Sequence, residues 1–334
     1  MIDLSTEYLG LKLINPLVVA SSPLCNQISN LRQMEDAGAS AIVLRSLFEE
    51  EINSEVYELD RFLADCSDVG AESSNIYPNL DNFGIGLEHY LERISQAKQA
   101  ISIPVIASLN GISRGGWVSY AREMEQAGAD AIELNVYFIA TDPDEGPEQI
   151  EMRYLNLVSE VRSMVRIPVS VKVGSQFSAF ANMARKLEQA GADGIVIFNR
   201  FYQPDFDLEM LEVKPMLTLS SSSELLFRLF WAGILYQHVN ADIAITGGVH
   251  VAEDVVKSMM AGARIVQLCS VLLQNGIGYL RPLRNQLEFW LEKHEYESIR
   301  QMQGCMSQHN VPNPKAFQRA NYMHVLSSYT EVTK

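Results

Sequence analysis

The stretch ADIAITGGVHVAEDVVKSMMAGARIVQLCS, residues 241–270, decides the fold. Ile243 to Ile245 reads as a short buried strand that stops at Thr246-Gly247-Gly248. An amphipathic helix follows, with Val251, Val255, Val256, Met259 and Met260 on one face. Ala261-Gly262-Ala263 closes the helix, and a second strand runs from Ile265 to Leu268 and ends at Cys269-Ser270. In a parallel barrel those two strand ends are neighbours on the same face. Glycines without a Cβ let backbone N–H groups approach a phosphate, and a serine hydroxyl adds a donor. In (β/α)₈ barrels the loops after strands seven and eight frequently hold phosphate. Taken by itself, the glycine pair fits a plain tight turn equally well.

The helix–AGA–strand pattern repeats. It occurs at MEDAGASAIVL (34–44), MEQAGADAIEL (124–134), LEQAGADGIVI (187–197) and MMAGARIVQL (259–268). Each glycine sits where a helix C-cap needs a left-handed residue. A complementary unit alternates with it at IPVIASL (103–109), IPVSVKV (167–173) and ADIAIT (241–246). Strands are expected at 17–20, 41–45, 104–109, 131–135, 168–173, 194–199, 242–246 and 264–269. Eight strands in βα alternation predict a (β/α)₈ TIM barrel as a single domain, 1–334. No G-x-G-x-x-G follows the first strand, which disfavours a doubly wound sheet. Residues 3–16 read as an N-terminal hairpin that closes the bottom of the barrel. Insertions after strand two (47–102, with Glu49-Glu50-Glu51) and strand six (200–222) would build lids at the top face. A helical tail from about residue 275 carries patterns around Trp290 and around Phe317 to Leu326.

Composition bounds the partners. The chain has 334 residues, is 47% hydrophobic and carries a formal charge of −15. That balance argues against nucleic acid and anionic membrane surfaces, which need clustered Lys and Arg. Cys25, Cys66, Cys269 and Cys305 are widely spaced, with no C-x-x-C for a zinc ribbon or iron–sulfur motif. The expected setting is a reducing cytoplasm. No signal peptide or membrane-spanning run is legible. The histidines show no metal-ligand spacing, so no metal is expected, and His250 reads as a solvated helix-start residue.

Barrel chemistry sits at strand C-termini. The polar residues expected there are Ser21, Arg45, Ser46, Asn110, Glu133, Asn135, Lys172, Asn199, Thr246 and Ser270. Lys172 is the sharpest, because it interrupts the apolar strand VSVKV and a lysine is almost never buried without a partner. It meets either an anion or a structural carboxylate such as Glu133. Asn135 and Asn199 cannot titrate and suit flat heteroaromatic edges, or serve as loop caps.

Through Ala20-Ser21, Arg45-Ser46, ELN (133–135), Lys172, Asn199, TGGV (246–249) and Cys269-Ser270, the chain resembles the dihydroorotate dehydrogenase family along almost its whole length. It is most similar to the dihydroorotate dehydrogenase-like branch, through SLFEEEI (46–52), IPVIASLNG (103–111), ELNVYF (133–138), FNRFYQPD (198–205) and MSQ (306–308). The resemblance implies FMN at the top of the barrel, oxidation of dihydroorotate in pyrimidine biosynthesis, and a homodimer. It implies that Gly247, Gly248, Ser270 and the backbone of Cys269 hold the phosphate, and that Ala20 and Ser21 lie along the ring. Lys172 would face the flavin N1/O2 edge, Asn135, Arg45 and Ser46 would contact the flavin, and Asn199 the substrate. The chain also departs from the family. Phe138 stands where the Ser or Cys base is usual, and a phenyl ring accepts no proton. Tyr137 is the adjacent candidate, and its ordinary pKa near ~10 would need tuning. Arg45 replaces a usual lysine, and Ser220 to Ser223 replace a second glycine-rich stretch. Two other readings stand beside the flavoenzyme. One is a non-catalytic FMN- or phosphate-binding barrel acting as a partner subunit or sensor. The other is a flavin-free lyase or isomerase using Lys172 as a Schiff-base nucleophile.

Overall fold

The computed structural model describes residues 2–49, 86–111, 117–201, 203–214 and 216–318, with 322, 325 and 327. Strands β1 (Thr6–Tyr8) and β2 (Leu11–Leu13) form an antiparallel hairpin. Its turn, Leu9-Gly10, has positive φ at both residues, the combination that suits the twist of a two-residue hairpin. Leu9 holds that unfavourable conformation because its N–H bonds the Asp242 carboxylate at 2.8 Å and its side chain is buried. A Cβ at Gly194 would lie 2.7 Å from the Leu9 side chain, so the bare glycine makes room for the hairpin.

The parallel sheet comprises β3 (Leu17–Val19), β4 (Ala41–Val43), β5 (Leu47–Phe48), β6 (Val105–Asn110), β7 (Ala131–Asn135), β8 (Val169–Val173) and β9 (Gly194–Ile197). After a small hairpin, β10 (Asp205–Asp207) and β11 (Glu212–Lys214), it continues with β12 (Asp242–Thr246) and β13 (Ile265–Leu268). The order β4-β3-β13-β12-β9-β8-β7-β6 is closed by β4 pairing with β6. This is an eight-strand parallel TIM barrel, and each strand lies within its expected range except β6, which runs one residue further, to Asn110. The short β5 adds to β6 at the top.

Helices α1 (Ile28–Ala37), α2 (Leu87–Ala100), α3 (Trp117–Gln126), α4 (Pro147–Met164), α5 (Phe180–Gln189), α6 (Leu225–Leu235) and α7 (Ala252–Ala261) alternate with the strands. Short α8 (Ser270–Asn275), α9 (Leu280–Lys293) and α10 (Ile299–Met302) come after them. The four AGA glycines, Gly38, Gly128, Gly191 and Gly262, all have φ between +101° and +119°, as the repeat predicts. In the lead stretch α7 begins at Ala252, so Val251 is its cap and is exposed rather than on the buried face.

Strand alternation divides the core in two. Side chains such as Val171, Ile195, Ile245 and Val266 face outward into one cluster under the helices. Val18, Val43, Ile106, Ala131, Val196, Ala244 and Ile265 face inward and meet Tyr8, Leu9 and Leu13 of the hairpin. The hairpin therefore plugs the bottom of the barrel, as expected. The second tail pattern starts as a 3₁₀ turn, Pro314–Phe317, and most of the remaining tail lies outside the described residues. So does most of the first insertion, including Glu50 and Glu51. No described helix is long and apolar enough to cross a membrane.

Candidate active site at the top of the barrel

Following the inward-facing residues upward, four strands turn from apolar to polar. Ile106 gives way to Ser108 and Asn110, Ala131 to Glu133 and Asn135, Ala244 to Thr246, and Ile265 to Gln267. The register places Ser108, Glu133, Ser170 and Gly194 in one row. It places Asn110, Asn135 and Lys172 in the row above. That upper row forms part of a pocket of about 490 Å³.

The pocket gathers Ala20, Ser21, Asn110, Asn135, Tyr137, Lys172, Asn199, Thr246, Gly247, Cys269 and Ser270 from the ends of seven barrel strands. Phe48, Arg200, Phe201, Gln203, Leu217, Ser220, Glu224 and Arg228 are also part of the wall, so the second insertion does build the rim. Three lining residues, Lys172, Arg200 and Arg228, are cationic and one, Glu224, is a carboxylate. In a chain of charge −15 this is a local reversal of sign, which favours an anionic ligand.

Of its two expected neighbours, Lys172 meets the structural carboxylate. It lines the pocket, and its Nζ lies 3.9 Å from Glu133 Oε1. Glu133 is fully buried, and its other oxygen accepts a hydrogen bond from Gln267 Nε2. The Gln267 contact was not anticipated, although inward alternation within IVQL marks it.

The amides are oriented by their donors. Asn199 Nδ2 donates to the carbonyls of Val136 (3.1 Å) and Lys172 (3.3 Å), which leaves Oδ1 as the group it can offer. Asn135 Nδ2 donates to Ser46 Oγ at 3.4 Å, while Oδ1 is buried with no partner among the described residues. A buried acceptor left unmet is costly, so a ligand N–H is the natural complement. Ser46 is not on the pocket wall. It joins Ser21, Ser108 and Asn135 from beneath through its hydroxyl. Arg45 is also off the wall, with its guanidinium 5.7 Å from the ring centre of Phe48.

The glycine end is tightly built. Gly247 and Gly248 both have φ of +83°. A Cβ on Gly248 would lie 2.5 Å from the backbone nitrogen of Leu225. The Gly248 N–H donates to Ser220 Oγ at 3.1 Å. Ser220 in turn donates to Ser270 Oγ through its N–H (3.1 Å) and its hydroxyl (2.9 Å). Ser270 therefore keeps its own proton to donate. Asp254 braces this end by accepting from Ser222 Oγ (2.7 Å) and from the N–H of His250 (2.9 Å). His250 itself is half-buried with Nε2 buried, which corrects the solvated reading. Its packing results from the turn that Asp254 holds, which residue type at a helix start does not reveal.

Arg228 was missed by the sequence reading. It stands inside the apolar helix LLFRLFWAGIL and is only 7% exposed. Its Nε donates to the Thr246 carbonyl and its Nη1 to the Glu224 carbonyl. Burial pulls its pKa below the usual arginine value. Burial also raises the Cys269 thiol, with the Lys172 charge opposing.

Phe138 does not line the pocket. It packs with Val136, Tyr154 and Leu157, and the Arg153 guanidinium lies 4.9 Å from its ring centre. Tyr137 is the residue of this loop that reaches the pocket wall.

A family model described as dihydroorotate dehydrogenase matches residues 3–291. The chain belongs to the dihydroorotate dehydrogenase family. A Thermoplasma volcanium protein named dihydroorotate dehydrogenase B (NAD(+)), catalytic subunit, is 28% identical over 324 residues, covering 91% of this chain and 98% of its own. The protein of the same name from Thermoplasma acidophilum is 28% identical over 314 residues, 91% and 99% of the two chains. The NAD-dependent dihydropyrimidine dehydrogenase subunit PreA of Escherichia coli is 23% identical over 330 residues, 93% and 78%. Like the rest of the dihydroorotate dehydrogenase family, the chain is a flavin-dependent oxidoreductase that acts on CH–CH bonds.

Proposed function

We propose that this dihydroorotate dehydrogenase-like chain binds FMN across the top of its barrel and exchanges hydride with a small, polar, N–H-bearing substrate of the dihydroorotate type. The observation that carries the reading is the row Asn110, Asn135 and Lys172, two amides and a cation at one height in a single pocket. The residues present fit the cofactor. Asn135 Oδ1 is a buried acceptor awaiting a donor, and the Gly247-Gly248 turn is bare where a Cβ would meet neighbouring atoms.

In this reading Gly247, Gly248, Ser270 and the backbone of Cys269 hold the phosphate. Ala20 and Ser21 lie along the ring, with Ser46 fixing Ser21 and Asn135. Lys172 places positive charge at the N1/O2 edge, and Arg45 adds charge at the rim beside Phe48. Asn199 offers its carbonyl to the substrate. Tyr137 is the loop residue placed to move a substrate proton, since Phe138 is turned beneath Arg153. When bound, FMN supplies the two-electron acceptor that side chains lack. The resemblance carries with it a single FMN-binding domain over 1–334, a homodimer, a cytoplasmic setting and a role in pyrimidine biosynthesis.

The test is the absorbance spectrum of the purified protein with added FMN, followed by anaerobic dihydroorotate. Flavin bands that bleach identify the substrate class. Flavin bands that persist with dihydroorotate move the search to other cyclic amides, and persistence with every donor favours a binding role. Absence of any flavin band after FMN is added sinks the cofactor assignment.

A further inference from the structure

We infer that Arg228 is an anion ligand built into this pocket, and that it makes the site select a phosphorylated flavin over the same ring without phosphate. The inference rests on the FMN reading. It starts from a guanidinium that is 7% exposed and still lines the pocket. Two of its nitrogens are spent on backbone carbonyls, those of Thr246 and Glu224. Nη2 makes no hydrogen bond to a described residue, and no carboxylate lies within ion-pair distance of Arg228 among them. The nearby Glu224 side chain pairs instead with Arg200 at 3.5 Å. The Glu224 charge still supports Arg228 from beyond ion-pair distance, but burial outweighs it, and a buried cation hydrogen-bonded only to carbonyls is an expensive arrangement unless an anion completes it.

The location says which part of the ligand supplies that anion. The guanidinium lies against Gly247, with Nη2 2.9 Å and Cζ 3.2 Å from where a Cβ would stand. Gly247 is thus bare for two reasons, its φ of +83° and the arginine beside it. The same end of the pocket is lined by Ser220 and Ser270, and the Gly248 N–H is bonded to Ser220 Oγ. It also receives the start of α6, whose Leu225 backbone abuts Gly248. The donors left open here, the Ser270 hydroxyl and Arg228 Nη2 beside the bare Gly247, suit the oxygens of a phosphate monoester. Asn135 and Asn199 present carbonyl oxygens instead and suit N–H donors. The pocket therefore has an anion end and an amide-reading end.

The experiment titrates wild-type apoprotein with FMN and with riboflavin, following quenching of flavin fluorescence. Arg228→Gln and Arg228→Lys are titrated in the same way. Wild type should bind FMN roughly 10- to 100-fold more tightly than riboflavin, the range of a charge-assisted hydrogen bond. Arg228→Gln should lose most of that ratio through weaker FMN binding, with riboflavin affinity unchanged, and Arg228→Lys should recover part of it. Wild type binding both flavins equally overturns this inference and leaves the FMN reading standing. An unchanged ratio in Arg228→Gln does the same. Binding of neither flavin overturns both. If Arg228→Gln does not fold, the wild-type ratio and Arg228→Lys decide.

Discussion

Lys172 and Glu133 show how one residue serves two masters. Their separation of 3.9 Å is long for an ion pair, and the lysine side chain is 12% exposed against 1% for the carboxylate. Glu133 thus neutralises the lysine from below while leaving the ammonium open to the pocket. Removing the lysine would strand a buried carboxylate with only the Gln267 amide for company. Lys172→Met should cost about 3 kcal/mol of stability by urea unfolding, and the double variant Lys172→Met/Glu133→Gln should regain most of it. A single variant as stable as wild type would mean that the pair does not set the energetics of the barrel interior. At the neighbouring loop, Tyr137→Phe should slow flavin reduction by the identified donor about 100-fold or more, with the KM changed little. Loss of KM alone would make Tyr137 a binding residue. Lys172 was legible in the sequence because a charge inside VSVKV has few explanations. Arg228 obeys the same logic inside LLFRLFWAGIL. It escaped notice because a helix, unlike a barrel strand, has a solvent face where an arginine is ordinary. The orphan acceptor of Asn135 was not legible at all, since it depends on which amide atom Ser46 captures.

At the scale of elements, the AGA repeat carried the fold. Each glycine marks a helix end, and the strand behind it is buried on both sides. The four φ values near +100° explain why no other residue type stands there. A positive φ does not by itself set a glycine's tolerance. Gly10, in the hairpin turn, has φ of +74° with nothing near its missing Cβ. Gly262, at the end of α7, has φ of +119°, and a Cβ there would lie 2.4 Å from the ring of Tyr236. Gly10→Ala should cost only the left-handed penalty of about 1–2 kcal/mol. Gly262→Ala should cost clearly more, because Tyr236 must move as well. Urea midpoints of the two variants measure the difference, and equal losses would show that the Tyr236 contact yields freely. The insertions were legible as lengths and as rim-builders but not as shapes. The β10–β11 hairpin leaves Phe206, Leu208, Leu211 and Val213 exposed, so no inward-outward alternation announced it.

Across the molecule several titratable hydroxyls and thiols are held away from water. Tyr8 is buried at the barrel bottom, and burial, with the Glu133 charge, raises its pKa well above the phenol value. Burial raises Tyr90 as well, although its hydroxyl bridges the Ser108 carbonyl and N–H. Burial also takes Tyr154 and Cys25 up to about 12, and it raises Cys269 and Cys305. The sign of the consequence comes from linkage. Each group stays protonated in the native state above the pH at which the unfolded chain ionises. Between the unfolded and native pKa values the native state binds more protons, so stability falls as pH rises. The stability is fully present below about pH 7.5 for the thiols and about pH 9 for the phenols, where the unfolded groups keep their protons. It is lost through the window up to about 12 for Tyr154 and Cys25, and further for Tyr8. Asp242 acts at the other end of the scale. Burial raises its carboxyl, so it costs stability at neutral pH and the cost fades as acid protonates it. The expected profile is a protein more tolerant of mild acid at this site than of base. Urea unfolding from pH 8 to 11.5 should show stability falling ever more steeply. Tyr154→Phe should flatten that slope between pH 10 and 12 by up to about 1.4 kcal/mol per pH unit, one proton's worth. A variant whose slope matches wild type would mean that the Tyr154 phenol ionises as readily in the folded barrel as in the unfolded chain, and its place on the buried face of α4 would not be shielding it.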